Sequence, residues 1–157
     1  MTETMLYPSP LGSLLVAARG DALVGLWMEG QRFFPPSFPE PCPENLSPVL
    51  LSCRDWLDRY FAGEKPEPWE GKLEPSGTAF QKRVWELLRE IPYGETRSYG
   101  ELARMLDSSP RAVGSAVGRN PISLIIPCHR VLGSGGALTG YAGGLERKEF
   151  LLRLERK

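Results

Sequence analysis

One histidine, His129, is all the imidazole this sequence contains, and its three cysteines, Cys42, Cys53 and Cys128, never fall into CxxC spacing. A structural zinc site would need a coincidence of fold, and neither a metal nor another cofactor is expected. An odd cysteine count with no recognisable secretory leader predicts a reducing, cytoplasmic setting rather than a disulfide framework. No apolar run approaches the ~20 residues that span a bilayer, which argues against a membrane protein. Ser/His/Asp sets, P-loops and Rossmann glycine patterns are missing as well.

Net charge is also absent, but only in sum. Residues 1–79 carry 6 Lys/Arg against 11 Asp/Glu, a net of −5, whereas residues 80–157 carry 13 against 8, a net of +5. A basic half beside an acidic half predicts that the C-terminal part alone meets a polyanion. The length allows one ordinary domain or two small lobes.

The pattern along the chain favours two lobes. Residues 12–30 read as two strands around a turn at Arg19-Gly20-Asp21, and residues 33–45, with five prolines, as a loop. Ser47 and Pro48 start a helix whose apolar face is Leu50, Cys53, Leu57, Tyr60 and Phe61, which makes Cys53 a core residue. Gly63 ends it. The expected boundaries are a first lobe over 1–70, a link over 71–77 and a second lobe over 78–157.

Thr78 and Gln81 form a capping box before a stripe of Phe80, Val84, Leu87, Leu88 and Ile91. Ser98 with Glu101 opens a second helix, and Ser109 with Pro110 a third. Three short helices joined by tight turns make a helix-turn-helix arrangement. A strand-like SLIIP (123–127) leads into Cys128 and His129, a glycine-rich loop covers 133–144, and an amphipathic helix ends the chain. Trp27, Trp56, Trp69 and Trp85 are expected in cores or at the lobe interface rather than as platforms for bases.

The third helix carries information of its own. At 100° per residue, Gly118, Arg111, Ser115, Arg119 and Ala112 share one arc of roughly 120°, opposite Val113, Ala116 and Val117. Small side chains flanked by two guanidiniums allow a close approach to a phosphate-lined groove, whereas a solvated face would favour long polar residues.

Cys128 and His129 admit two readings: a strand end with two incidental residues, or an activated sulfur nucleophile. A free thiol is only a few per cent thiolate at neutral pH, yet that fraction is strongly nucleophilic, and a nearby base enlarges it. Adjacent residues rarely aim their side chains at each other. A bridging water, or a carboxylate orienting the imidazole, is therefore needed, and Glu146, Glu149 and Glu155 on the last helix can supply the carboxylate.

The segments FQKRVWELLREIPYGETRSYGELA (80–103), RAVGSAVGRNP (111–121) and NPISLIIPCHRVLGSGGALTGYAGGLERKEFLL (120–152) resemble the O6-alkylguanine-DNA alkyltransferase family, and PCHRV is highly specific to it. The resemblance implies an α/β (α+β) fold, with a small ribonuclease H-like sheet-plus-helix lobe before a winged helix-turn-helix lobe. It implies a direct-reversal DNA repair methyltransferase, acting once per molecule as a monomer. Its partner would be double-stranded DNA carrying O6-alkylguanine, or O4-alkylthymine, met through the minor groove. Cys128 then resembles the alkyl acceptor, His129 the base acting through a water, Glu155 its orienting carboxylate and Asn120 the brace of the turn. Tyr99 resembles the tyrosine that hydrogen-bonds the leaving guanine and crowds the DNA backbone. Arg111 resembles the arginine that replaces the extruded nucleotide, with Ala112, Ser115 and Arg119 beside it on the DNA face. Val131, Tyr141, Ala142 and Gly143 are implied in the substrate pocket. Ala142 departs from the pattern, because many members carry a serine there, so only a backbone N–H can serve. Arg130 is given no role beyond structure.

Overall fold

The computed structural model describes residues 2–31, 41, 46–138 and 140–157 and divides them into two compact units. The first comprises residues up to Ser76 together with Pro121–Ile125; the second comprises Gly77–Asn120 and Ile126–Lys157. Cys42, and all of the proline-rich stretch 33–45 except Pro41, lie outside the described residues.

The first unit is a four-stranded sheet in the order β1-β2-β3-β4 with one helix. Strands β1 (Thr2–Ser9), β2 (Gly12–Arg19) and β3 (Ala22–Met28) form an antiparallel meander. The hairpin expected over 12–30 is β2–β3, turning at Gly20, whose φ of 63° suits glycine. β1 was not legible in the sequence. Thr4 and Met5 are both buried, which breaks the alternation, and Pro8 is tolerated because β1 is an edge strand. Helix α1 (Pro48–Phe61) packs on these strands, with Leu50, Cys53, Leu57 and Tyr60 buried. Pro48 occupies its first turn as expected, but the Ser47 side chain makes no capping hydrogen bond. Burial pushes the Cys53 thiol up to about 12, so it is an inert core group.

Strand β4 (Lys72–Leu73) lies within the stretch read as a link and pairs in parallel with β3. Pro121–Ile125 adds to the same sheet, with Leu26 N–H donating to Pro121 O at 2.8 Å and Ser123 N–H to Leu26 O at 3.0 Å. The strand expected over 123–127 does not form. Leu124 instead takes a φ of 72° and Ile125 N–H donates back to Ser123 O at 2.9 Å, a tight three-residue turn.

The second unit is built on helices α2 (Ala79–Leu88), α3 (Tyr99–Met105) and α4 (Pro110–Gly118). Both capping boxes form: Thr78 with Gln81, and Ser98 with Glu101. Ser109 accepts from Ala112 N–H at the start of α4. Each cap satisfies backbone donors that would otherwise be orphaned, at about 1 kcal/mol per cap. Val113, Ala116 and Val117 turn inward, and Trp85 seals α2 against α4 by donating its indole N–H to Ala116 O at 2.8 Å. Arg111, Ser115 and Arg119 are exposed and Ala112 and Gly118 partly so, as the helical wheel required. A short parallel ladder pairs β5 (Arg97–Ser98) with β6 (Val131–Leu132), and α5 (Leu145–Arg156) closes the unit.

Candidate functional site

The turn that carries Cys128 is fixed from both sides. Pro127, at φ −79° and ψ 67°, centres an inverse γ-turn in which Cys128 N–H donates to Ile126 O at 2.8 Å. Asn120 Nδ2 donates to that same carbonyl, also at 2.8 Å. Residues Cys128–Arg130 continue as one turn of 3-10 helix and run straight into β6. Because β6 pairs with β5, and β5 leads directly into Tyr99 at the first turn of α3, the ladder sets Tyr99 relative to Cys128. Cys128, His129 and Asn120 are all buried.

His129 has 0% exposure, and its Nε2 lies 2.6 Å from Glu155 Oε2. Among the three carboxylates that spacing left open, α5 turns inward Glu155, the one the resemblance implied, together with Lys148, Leu151 and Leu152, a stripe at helical spacing. Burial alone would raise the Glu155 carboxyl, but the hydrogen bond from His129 and the hydrogen bonds and charge of Arg130 hold it well below the usual carboxylate range. An ionised carboxylate only accepts, so Nε2 carries the proton that it shares with Glu155. Burial holds the imidazole below its ordinary value despite Glu155. In the neutral tautomer that results, Nδ1 is a bare base, and it is buried without a hydrogen-bond partner.

Tyr99 donates its hydroxyl to Gly140 O at 3.3 Å, and burial followed by the proximity of Cys128 pushes the phenol up to about 12. Tyr141 is likewise raised, first by burial and then by Cys128. Both phenols therefore keep their protons at neutral pH. Ala142 and Gly143 occupy the middle of a turn closed by Gly144 N–H donating to Tyr141 O at 2.9 Å. Val131 is buried in β6. Arg111, Ala112, Ser115 and Arg119 line the outer face of α4, and Tyr99 packs its ring against Gly114 on that helix.

Two residues of the site went unread in the sequence. Arg130 binds Glu155 through two of its nitrogens. Lys148, at 0% exposure, reaches Gly140 O at 3.5 Å and lies 5.9 Å from the centre of the Tyr99 ring. Burial lowers the Lys148 ammonium to about 8, against an opposing pull from Cys128. A signal for Lys148 did exist: it shares one helical stripe with Leu151, Leu152 and Glu155, where a lysine is rarely buried without a polar role.

A sheet-and-helix unit followed by a helix-turn-helix unit that buries a Cys–His–Glu turn defines the class. Residues 4–75 match the 6-O-methylguanine DNA methyltransferase ribonuclease-like domain, and residues 79–157 match the DNA-binding domain of the same proteins. The methylated-DNA–protein-cysteine methyltransferase of Haemophilus influenzae is 47% identical over 152 residues, covering 96% of this chain and 84% of that protein. The crystal structure of Mycobacterium tuberculosis OGT in complex with DNA aligns at a TM-score of 0.85 and 44% identity, over 99% of this chain and 92% of that one. An O6-methylguanine DNA methyltransferase from Methanococcus jannaschii aligns at 0.72 and 32% identity, over 97% and 93%. The chain belongs to the methylated-DNA–protein-cysteine methyltransferase family.

Proposed function

We propose that the protein repairs DNA by moving the alkyl group of O6-alkylguanine onto the sulfur of Cys128. Alkyl-transfer repair follows from membership of the family, and the arrangement that supports Cys128 as acceptor is the buried His129–Glu155 pair whose bare Nδ1 belongs to the residue after the cysteine. A water between Sγ and Nδ1 carries the thiol proton to His129. The thiolate then attacks the alkyl carbon in line, the carbon–O6 bond breaks, and its electron pair stays on the guanine. Tyr99, held protonated, donates a hydrogen bond to the departing base, which finally takes up the proton released by the thiol. The acceptor becomes a thioether, with no step to regenerate it, so each molecule acts once.

The reacting carbon is inaccessible inside a duplex, so the nucleotide must be flipped out at a cost of a few kcal/mol. Arg111 takes its place in the stack, while Ala112, Ser115 and Arg119 bring α4 against the minor groove. Asn120 braces the acceptor turn, and Val131, Tyr141, Ala142 and Gly143 wall the pocket. O4-alkylthymine is a second substrate of the same chemistry, and the working form is a cytoplasmic monomer.

Intact-mass measurement after incubation with O6-methylguanine DNA tests this. One methyl group, about 14 Da by thioether stoichiometry, should appear on Cys128, and Cys128→Ser should abolish the gain while retaining DNA binding. Multiple turnovers, or methyl on Cys42 or Cys53, would overturn the assignment.

A further inference from the structure

His129 and Arg130 are consecutive, yet their side chains converge on one carboxylate. Arg130 Nε donates to Glu155 Oε1 at 2.8 Å and Nη2 to Oε2 at 3.1 Å, while Nη1 donates to Ile91 O at 2.7 Å. Its guanidinium also lies 5.6 Å from the centre of the Tyr93 ring. Glu155 Oε1 accepts a further hydrogen bond from Gly94 N–H at 3.3 Å. The carboxylate that orients His129 is thus already paired with a permanent cation.

That pairing matters because a buried histidine alone with a carboxylate at 2.6 Å would be drawn toward the imidazolium form. A proton on Nδ1 would leave no base for the thiol. We propose that Arg130 is a positioning residue for alkyl transfer: by cancelling the charge of Glu155 it lets the buried His129 stay neutral, with the proton on Nε2 and the lone pair on Nδ1. The inference rests on the reading of His129 as the base, given above. The remaining groups facing the imidazole act in the same sense or not at all. Lys148 on α5 opposes protonation, as Arg130 does, and among the described residues Glu155 is the one group that favours it. Tyr93, from the turn after α2, and Tyr141, before α5, keep their protons. On α2, which packs against the acceptor turn, Lys82, Arg83 and Glu86 are exposed, as are Arg89 and Glu90 just past its end.

A single histidine makes the test direct, because imidazole nitrogen NMR of the full-length, labelled protein reports His129 alone. The wild type should hold a neutral Nε2–H imidazole at pH 7. Arg130→Gln, which keeps hydrogen-bond donors and removes the charge, should raise the titration midpoint of His129 by about one unit or more. Methyl transfer to Cys128 at pH 7 should fall at least ten-fold in that variant and recover as pH rises. Arg130→Lys should leave the midpoint near that of the wild type, and adding Glu155→Gln to Arg130→Gln should bring it back down. An imidazolium at pH 7 in the wild type overturns the proposal without any variant. So does a folded Arg130→Gln protein whose titration overlays that of the wild type. Absence of any transfer to Cys128 in the wild type sinks the underlying functional reading instead, whatever the tautomer.

Discussion

Asn120 and Cys128 hold the same carbonyl: the Asn120 amide and the Cys128 backbone N–H both donate to Ile126 O, each at 2.8 Å. Asn120, two residues past the end of α4, therefore sets the height of the acceptor turn. Asn120→Ala should destabilise the protein by about 1–3 kcal/mol, the usual cost of a lost buried hydrogen bond. It should also slow methyl transfer at least ten-fold with little change in DNA affinity. Single-turnover rates and binding constants measured on one preparation check this. Unchanged transfer in the folded variant removes the bracing role.

Arg111 stands exposed in the first turn of α4, at the leading edge of the small-faced arc. Arg111→Ala should lower transfer from duplex DNA at least ten-fold, equivalent to about 1.4 kcal/mol of barrier. Transfer from the free modified base should hardly change, since no stack has to be opened. Equal losses on both substrates would exclude a flipping role.

Glu155 is an acid whose ionised form the fold stabilises, so its contribution is fully present above its unfolded value near 4.5 and is lost as pH falls below it. Glu155→Gln leaves the Arg130 guanidinium buried without a counter-charge and should cost about 3–5 kcal/mol at pH 7. The difference in stability between wild type and variant should shrink on acidification. Denaturant unfolding at pH 7 and pH 4 reads it, and a constant difference would show that the pair is not coupled to folding.

Lys148 runs the other way. Its folded value of about 8 lies below its unfolded value of 10.5, so the cost of burying its charge is fully present below about pH 8. Between those values the unfolded chain binds the extra proton, and stability rises with pH. Lys148→Met should therefore be the more stable protein at pH 7, by roughly 1–3 kcal/mol. That advantage should fade by pH 10. Transfer should slow, because the cation beside Tyr99 and Cys128 is gone. A variant less stable than the wild type at pH 7 would mean that its contact with Gly140 outweighs its burial.

Local signals along the chain settled a large part of this protein. The capping boxes at Thr78 and Ser98, the apolar face of α1 and the small outer face of α4 depend on neighbours within one turn and form as read, whereas on α2 Trp85 joins Val84 and Leu88 in the core while Phe80 and Leu87 are only half-buried. The PCHRV segment identified the family for the same reason, since its chemistry is packed into five consecutive residues. What needed the tertiary structure was any feature whose partner is distant in sequence. Periodicity left Glu146, Glu149 and Glu155 as equals, and only the family resemblance singled out Glu155. Only the packing of α5 turns Glu155, 26 residues beyond His129, toward Nε2. Arg130 read as an ordinary charge because its partners, Ile91 and Glu155, lie 39 and 25 residues away. The strand expected over 123–127 failed likewise, because apolar character cannot reveal that Leu124 reverses the chain. β-propensity reports a preference for burial on a pleated surface, and the fold buried these residues in a turn instead.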